Sequence, residues 1–208
     1  MVVVVVVVVD SDALDYAVIE LAAPKATIVP VRADLQTEAG VAAAYAAVGT
    51  DGRPLAAAAL NAGVCRGGSF VETSLADILA VLDLDVRSTV HLAKLVLDDL
   101  TRRGAGRVLF TSSVASTMPG PYQAVYNASK SFVQSFSEAL HSELAGTGVT
   151  VTALMPGPTD THFFSRAHVG DTVLGRGPKD DPADVANQVT TRCGAVSGRW
   201  SPVRCCRR

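Results

Sequence analysis

The chain lacks the long apolar run that a membrane-spanning helix needs. Its most conspicuous apolar tract is the run of eight valines at Val2–Val9, whereas a bilayer requires about 20 apolar residues. No positively charged segment precedes this run and no small-residue cleavage site follows it, so we expect no signal peptide. The sequence therefore predicts neither a membrane protein nor a secreted one.

The chain also lacks an excess of either charge. It has 18 Lys and Arg against 20 Asp and Glu, for a net charge of −2, and aromatic residues make up only 5%. No basic stripe and no alternation of aromatic and basic residues occurs, so we expect no nucleic-acid partner. The cysteines are few and fit neither a zinc site nor a disulfide framework, which favours reduced thiols and a cytoplasmic location. The histidines form no HxxxH pair, so no metal site is predicted.

Predicted strands and helices alternate along the chain. With 208 residues, 49% of them apolar and 18% charged, the sequence predicts one globular domain. The predicted strands are Val2–Val9, Ala26–Arg32, Leu55–Leu60, Arg107–Thr111 and Val149–Met155, and the predicted helices are Ala13–Ala22, Thr37–Val48, Leu75–Arg103, Tyr122–Ala145 and Asp184–Thr191. This alternation predicts an α/β fold with a doubly wound parallel sheet, Rossmann-like, over residues 1–191. Residues 192–208 lose the pattern and are predicted to form an irregular tail.

The valine run has two interpretations. Eight β-branched residues suit a strand buried on both faces of a parallel sheet. A low-complexity tract of this kind would also result from an error in the sequence itself. The residues alone do not separate the two.

One short segment carries the clearest chemistry. Tyr126 and Lys130 are four residues apart in a predicted helix, so both side chains project from the same face. A cation within about 4–6 Å of a phenol favours the phenolate and lowers its pKa. Ser113 comes at the carboxyl end of a predicted strand, where open parallel sheets bind ligands. The pattern predicts a tuned phenol that exchanges a proton with a carbonyl or an alcohol oxygen.

These residues resemble the core of the short-chain dehydrogenase/reductase family. The resemblance is densest over the segment RVLFTSSVASTMPGPYQAVYNASK, from Arg107 to Lys130. Asn61-Ala62-Gly63 after one strand, and Met155-Pro156-Gly157 with Thr161 after another, are similar to two further motifs of the family. The resemblance implies that Tyr126 is the catalytic acid/base. It also implies that Lys130 lowers the phenol's pKa and binds the nicotinamide ribose, and that Ser113 holds the substrate oxygen.

The resemblance further implies a nicotinamide cofactor, NAD or NADP, and a small carbonyl or alcohol substrate. Members of this family commonly assemble through two long helices, so a homodimer or homotetramer is expected. The implied cofactor contacts, in addition to Tyr126 and Lys130, are Asp34 by the adenine, Asn61, Ala62 and Gly63 along the adenosine ribose, and Pro156, Gly157 and Thr161 by the nicotinamide. Asn61 is equally well interpreted as a turn residue before Gly63.

A glycine-rich turn of the TGxxxGxG type, which holds the pyrophosphate in this family, has no match here. The valine run corresponds to the family's second strand, so the resemblance implies an N-terminally truncated sheet that lacks the first strand. We hypothesise that the valine strand fills that position and pairs with Leu55–Leu60, in the strand order 2-1-3-4-5-6. Asp10, at the end of the valine run, is interpreted either as a ligand of a ribose hydroxyl or as a helix cap.

Asp85 is a second departure from the family, which usually has an asparagine in the pattern around Leu84-Asp85-Val86. A carboxylate at this position can pair with Lys130, oppose its effect on Tyr126 and raise the phenol's pKa. The alternative is that Asp85 points to solvent.

Two functions remain open from the sequence. The first is an NAD(P)-dependent oxidoreductase that transfers a hydride between a nicotinamide and a carbonyl or alcohol, with Ser113, Tyr126 and Lys130 as catalytic residues. The second is a truncated, non-catalytic relative that acts as a binding or dimer-assembly partner. Saturable cofactor binding distinguishes the first from the second.

Overall fold

The computed structural model describes residues 2–8, 26–50, 52–167, 176–187 and 203–204. The strands are β1 Val2–Val8, β2 Ala26–Arg32, β3 Ala57–Leu60, β4 Gly106–Thr111, β5 Val149–Met155 and β6 Val203–Arg204. The α-helices are α1 Glu38–Ala46, α2 Leu75–Leu82, α3 Ser88–Arg103, α4 Ala124–Glu143 and α5 Phe163–Arg166. A π-helix over Asp83–Arg87 joins α2 to α3, and a 3₁₀-helix over Val114–Thr117 follows β4.

Most predicted elements occur close to their expected bounds. The strands β2 and β5 have the predicted limits, β3 begins two residues later than predicted and β4 begins one residue earlier. The described part of the predicted valine strand, Val2–Val8, is a strand. The long helix predicted over Leu75–Arg103 is helical throughout, but its middle turn is π-helical. The predicted helix Ala13–Ala22 lies outside the described residues. Of the predicted helix Asp184–Thr191, the described part, up to residue 187, is helical.

Side-chain caps and glycines explain where the helices begin and end. The Thr37 hydroxyl accepts a hydrogen bond from the backbone amide of Gly40 at 3.0 Å and so caps α1. The Ser74 hydroxyl accepts from the amide of Asp77 at 3.1 Å at the start of α2. Gly104 ends α3 with a φ of 67°, in the left-handed region that glycine adopts without a steric penalty.

All strand pairs among the described residues are parallel. The strands β3, β4, β5 and β6 form one sheet in that order, and β1 and β2 form a second. The predicted α/β fold with a parallel, Rossmann-like sheet is therefore confirmed. Of the predicted irregular tail, the described residues Val203 and Arg204 pair with Leu154 and Met155, so the tail is regular at these two positions because β5 offers them its open edge.

The hypothesis that β1 pairs with β3 is wrong. Seven register pairs join β1 to β2, from Val2 with Ala26 to Val8 with Arg32. Within the described residues, no ladder joins the valine strand to Ala57–Leu60. A strand of identical valines fits either parallel neighbour equally well, so its composition does not select β3 as its partner. The helix α1, which follows β2, packs against α3.

The main core lies between the four-stranded sheet and the two long helices α3 and α4. Phe110 of β4 is fully buried and meets the Phe136 ring of α4 edge to face, with centroids 5.8 Å apart. The buried members of this core are Leu60, Ala93, Val96, Leu97, Leu100, Val108, Phe110, Val133, Val149 and Val151. This packing fixes α4 relative to the carboxyl end of β4. Across the described segments, no helix has both the length and the apolar character required to cross a membrane.

Candidate active site

The site begins where β4 ends. Ser112 is buried, its amide donates to the Leu154 carbonyl at 2.8 Å, and its hydroxyl donates to the Lys130 carbonyl at 3.0 Å. These bonds tie the carboxyl end of β4 to β5 on one side and to α4 on the other. The next residue, Ser113, caps the 3₁₀-helix by accepting from the Ala115 amide at 3.1 Å. Its hydroxyl is thereby held at the carboxyl edge of the sheet.

Ser113, Tyr126 and Lys130 come together, as the sequence predicts. Tyr126 and Lys130 lie in the first turns of α4, and their exposed fractions are only 8% and 5%. The ammonium Nζ of Lys130 is 5.8 Å from the centre of the Tyr126 ring. The Ser113 side chain lies close enough to the phenol to lower its pKa by hydrogen bonding. The ammonium also donates to the Thr111 carbonyl at 3.1 Å, which fixes its position behind the tyrosine.

Asp85 faces this cluster rather than solvent. It is 1% exposed and lies in the π-helix between α2 and α3. Its Oδ1 accepts from the Val64 amide at 2.8 Å, its Oδ2 accepts from the Ser129 hydroxyl at 3.0 Å, and Oδ2 is 3.8 Å from Lys130 Nζ. A π-helical turn inside an α-helix often marks a functional site, because it re-aims one side chain. Here it brings a carboxylate to the buried lysine.

Burial dominates the protonation of the cluster. It raises the pKa of Tyr126, and the negative charge of Asp85 raises it further, against the opposing hydrogen bond from Ser113. Burial also lowers the pKa of Lys130, while Asp85 acts in the opposite direction. The pKa of Asp85 is raised by burial, with Lys130 opposing. The net shift of the phenol's pKa is therefore upward, and Lys130 is not among the causes that set it, so the predicted lowering by Lys130 stays a prediction. The pairing expected of Asp85 with Lys130 is present.

The segment Asn61-Ala62-Gly63 leaves β3 next to the lysine. The Asn61 Oδ1 accepts from the Thr111 hydroxyl at 2.8 Å, so the ends of β3 and β4 are joined by side chains. A Cβ at Gly63 would lie 2.9 Å from Lys130 Nζ and 3.4 Å from Asp85 Oδ1. Gly63 therefore has a packing reason to be glycine, since any side chain would displace the ammonium.

The residues after β5 cover the tyrosine from the other side. The Pro156 carbonyl accepts from the Val114 amide at 3.0 Å, and the Gly157 carbonyl accepts from the Thr159 hydroxyl at 3.0 Å. The Thr161 hydroxyl accepts from the Phe163 amide at 3.3 Å at the start of α5. The Phe163 ring then lies 5.4 Å from the Tyr126 ring. Pro156, Gly157 and Thr161 thus belong to the same edge of the sheet as Ser113.

The remaining predicted cofactor residue is not part of this cluster. Asp34 follows β2, in the two-stranded sheet, and is exposed. Its carboxylate accepts a hydrogen bond from the Gln36 amide at 3.0 Å in the turn before α1. Asp10 lies outside the described residues. Within the described parts of the chain, no three His, Cys, Asp or Glu side chains converge as ligands of a metal ion.

Sequence reasoning missed two residues that shape the site. Asn127 is buried, and its amide nitrogen donates to the carbonyls of Ala115 and Met118 at 3.1 and 3.0 Å, so it holds the segment after Ser113 against α4. The only feature of the sequence that could have indicated this role is the position of Asn127 next to Tyr126. Cys65 is buried against Tyr126, and burial raises the pKa of its thiol to about 12. No sequence pattern points to it.

The chain has relatives among known proteins. The family model described as short chain dehydrogenase matches residues 2–169. An uncharacterized short-chain type dehydrogenase/reductase of Sinorhizobium fredii is 37% identical over 108 residues, which are 51% of this chain and 44% of that protein. Oxidoreductase UcpA of Salmonella typhimurium is 30% identical over 181 residues, which are 86% of this chain and 66% of that protein. The chain thus spans about half to two thirds of the length of these curated relatives.

Solved structures share the fold as well. A short-chain dehydrogenase from Sphingobium yanoikuyae in complex with NADPH superposes with a TM-score of 0.82 at 26% identity, and the match covers 91% of this chain and 75% of that one. The stretch matched by the family model contains Ser113, Tyr126 and Lys130 and covers well over half of the 208 residues. The chain belongs to the short-chain dehydrogenase/reductase family.

Proposed function

We propose that this chain is an NAD(P)-dependent oxidoreductase that interconverts a carbonyl compound and an alcohol, with Tyr126 as the acid/base. The observation that carries the proposal is the meeting of Ser113, Tyr126 and Lys130 at the carboxyl edge of the sheet, where the Ser113 side chain acts on the pKa of the phenol and Lys130 Nζ lies 5.8 Å from its ring. Two hydroxyl groups side by side can both donate to one substrate oxygen. A purely structural tyrosine would not need this arrangement at a sheet edge where parallel folds bind ligands.

Each side chain has a definite task in the reduction. Ser113 donates a hydrogen bond that orients and polarises the carbonyl oxygen. The carbonyl carbon gains a hydride while its oxygen takes the proton of Tyr126, so the phenol O–H bond breaks and an alcohol O–H bond forms. Oxidation is the reverse, with the phenolate accepting the proton of the alcohol. Lys130 holds its ammonium beside the phenol through its bond to the Thr111 carbonyl.

The residues at the nicotinamide end fit such a cofactor. The absence of a side chain at Gly63, where a Cβ would lie 2.9 Å from Lys130 Nζ, leaves room for the ammonium. When bound, the nicotinamide supplies or accepts the hydride. The residues proposed to hold the cofactor are Asp34, Asn61, Ala62, Gly63, Tyr126, Lys130, Pro156, Gly157 and Thr161. The pyrophosphate end does not fit equally well, because the sequence has no TGxxxGxG turn.

The proposed substrate is a small carbonyl or alcohol with an apolar part. The Phe163 ring lies 5.4 Å from the Tyr126 ring at a tilt of 49°, and the adjoining Phe164 is buried in the same cluster. The exposed Tyr122 lies at the start of α4 and adds an aromatic surface. We also propose a homodimer or homotetramer in the cytoplasm, as the resemblance implies, and analytical ultracentrifugation of the purified chain checks the assembly.

Two measurements test the proposed function. The first is a titration of the purified chain with NADH and with NADPH, followed by nicotinamide fluorescence, where saturable binding is expected for at least one of them. The second is turnover of a panel of aldehydes and ketones by wild type, Tyr126→Phe and Ser113→Ala. Loss of acid catalysis in Tyr126→Phe should lower kcat by about 10²–10⁴-fold.

Tyr45→Phe is the matched control, because Tyr45 lies in α1 and packs on the main core instead of the site. This variant should keep the wild-type rate. Absence of binding by either cofactor would overturn the proposal. Equal turnover by Tyr126→Phe and wild type would overturn the role of the tyrosine.

A further inference from the structure

The carboxylate of Asp85 changes the net charge that lies next to Tyr126. Asp85 and Lys130 are both almost completely buried, and Oδ2 and Nζ are 3.8 Å apart. The pair has no net charge whether it consists of a carboxylate and an ammonium or, after one proton has moved, of a neutral acid and a neutral amine. Tyr126 therefore has a neutral pair behind it instead of an isolated cation.

The other groups that face the phenol do not restore a positive field. Cys65, from the loop after β3, packs against the Tyr126 ring, and its thiol is neutral at ordinary pH. Ser113, which caps the 3₁₀-helix, carries no charge and lowers the pKa of the phenol by hydrogen bonding. The next cation along this loop, Arg66, has its guanidinium 3.3 Å from the Asp77 carboxylate. Burial and the charge of Asp85 outweigh the effect of Ser113, so the surroundings on balance favour the neutral phenol.

We propose that Asp85 is a positioning residue that neutralises Lys130 and so keeps Tyr126 protonated far into the alkaline range. This inference rests on the proposed function and adds the residue that sets the pH range over which alcohol oxidation rises. Asp85 does not touch substrate. It acts only through the charge of Lys130.

The protonation state sets how each rate depends on pH, because the two reactions need opposite forms of the tyrosine. Reduction breaks the phenol O–H bond and passes that proton to the carbonyl oxygen, so it requires the neutral phenol. Oxidation requires a phenolate that removes the proton of the alcohol. Below the phenol's pKa, the phenolate fraction falls tenfold for each pH unit, whereas the neutral form stays fully populated. The rate of reduction should therefore be flat near neutrality, and the rate of oxidation should rise steadily into the alkaline range.

The first test measures the ionisation of the Tyr126 phenol directly and requires no enzymatic turnover. Tyrosinate absorbs in the ultraviolet, and subtracting the titration of Tyr126→Phe from that of the parent protein isolates Tyr126. In wild type, Tyr126 should stay un-ionised until alkaline unfolding, which circular dichroism detects. In Asp85→Asn, it should ionise at lower pH while the protein is still folded. The same ionisation behaviour in both proteins would overturn the proposal.

Asp83→Asn is the matched control for this titration. Asp83 lies in the same π-helix, but its carboxylate pairs with the exposed Arg87 instead of Lys130. In Asp83→Asn, Tyr126 should ionise as it does in wild type. If Asp85→Asn does not fold, Asp85→Ser removes the charge with a smaller side chain that still offers an acceptor to the Val64 amide, and the same outcomes apply.

The second test uses kinetics in both directions. In wild type, kcat/KM for alcohol oxidation should keep rising with pH as long as the protein is folded, whereas in Asp85→Asn it should level off at a lower pH, where Tyr126 becomes a phenolate. At any one pH the rates in the two directions should change together, because the equilibrium constant of the reaction fixes their ratio for given cofactor affinities. An Asp85→Asn pH profile with the wild-type shape would indicate a merely structural role and overturn the proposal. If the chain neither binds cofactor nor turns over, the proposed function fails, whereas the titration still decides the effect of Asp85 on Tyr126.

Discussion

The buried pair of Asp85 and Lys130 should make the fold sensitive to the loss of one charge. In Lys130→Met, the ammonium is removed and the carboxylate keeps only its hydrogen bonds from Val64 and Ser129. For two charges 3.8 Å apart, the Coulomb attraction is about 4 kcal/mol at an effective dielectric constant near 20. Leaving one member of a buried pair alone costs about 3–5 kcal/mol in proteins generally. We therefore expect Lys130→Met to lose about 4 kcal/mol of unfolding free energy at neutral pH.

The double variant Asp85→Asn/Lys130→Met separates the charge effect from the loss of packing. The amide oxygen of Asn can still accept from the Val64 amide, so both charges disappear while that hydrogen bond remains. We expect this protein to lie within about 2 kcal/mol of wild type and to be clearly more stable than Lys130→Met. Lys94→Met is the surface control, because Lys94 pairs with Asp98 on the exposed side of α3. It should cost at most about 1 kcal/mol.

The pH dependence has a definite sign. In Lys130→Met, burial raises the pKa of Asp85 and no cation opposes it, so the folded state binds this proton more tightly than the unfolded state. Stability is then greatest below the unfolded pKa of about 4 and falls, by at most about 1.4 kcal/mol per pH unit, as pH rises toward the folded value. The gap between wild type and the variant should shrink as pH falls.

Urea denaturation followed by circular dichroism, at several pH values between about 4 and 8, measures all of these differences. Two results would refute the electrostatic reasoning. One is a Lys130→Met variant within about 1 kcal/mol of wild type at neutral pH. The other is a double variant no more stable than that single variant.

Two further substitutions test the geometry of the site. Gly63→Ala should destabilise the fold by about 1–2 kcal/mol and weaken cofactor binding, because its Cβ would lie 2.9 Å from the buried Lys130 Nζ. Urea denaturation measures the loss of stability, and cofactor titration measures the loss of affinity. An unchanged affinity would show that the ammonium can move aside. Tyr122→Gly should stabilise the fold by about 0.5–1 kcal/mol, because Tyr122 has a φ of 63° and its side chain is 71% exposed. A clear loss of stability in urea would mean that the Tyr122 ring packs more favourably than its exposure indicates.

The fold was predictable where the residue pattern is periodic. The strands Ala26–Arg32 and Val149–Met155 have the expected bounds. The first ends at the polar residue Arg32, and the second ends just before Pro156. The pairing of β1 was not predictable. A strand of identical valines satisfies any register and either neighbour equally well, so its pairing with β2 was decided by the tertiary structure. The π-helix over Asp83–Arg87 was also hidden, because the apolar spacing continues on both sides of it.

The site was predictable to the extent that spacing places side chains. Four residues separate Tyr126 from Lys130, which is one helical turn, and Ser113 follows a strand end, so the three could be expected to meet. The cofactor segments after β3 and β5 reach the same edge for the same reason. Asn127 and Cys65 were missed because their contacts come from segments distant in sequence.

The sequence by itself determined which residues form the strands and helices, that the sheet is parallel and that a phenol, an ammonium and a hydroxyl meet at its carboxyl edge. These properties follow from local periodicity and from the short distances that one helical turn imposes. Only the tertiary structure decided the partner of the valine strand and the protonation of Tyr126. A pKa depends on burial and on every charge nearby, and the carboxylate of Asp85 reaches Lys130 from a helix 45 residues away in the chain.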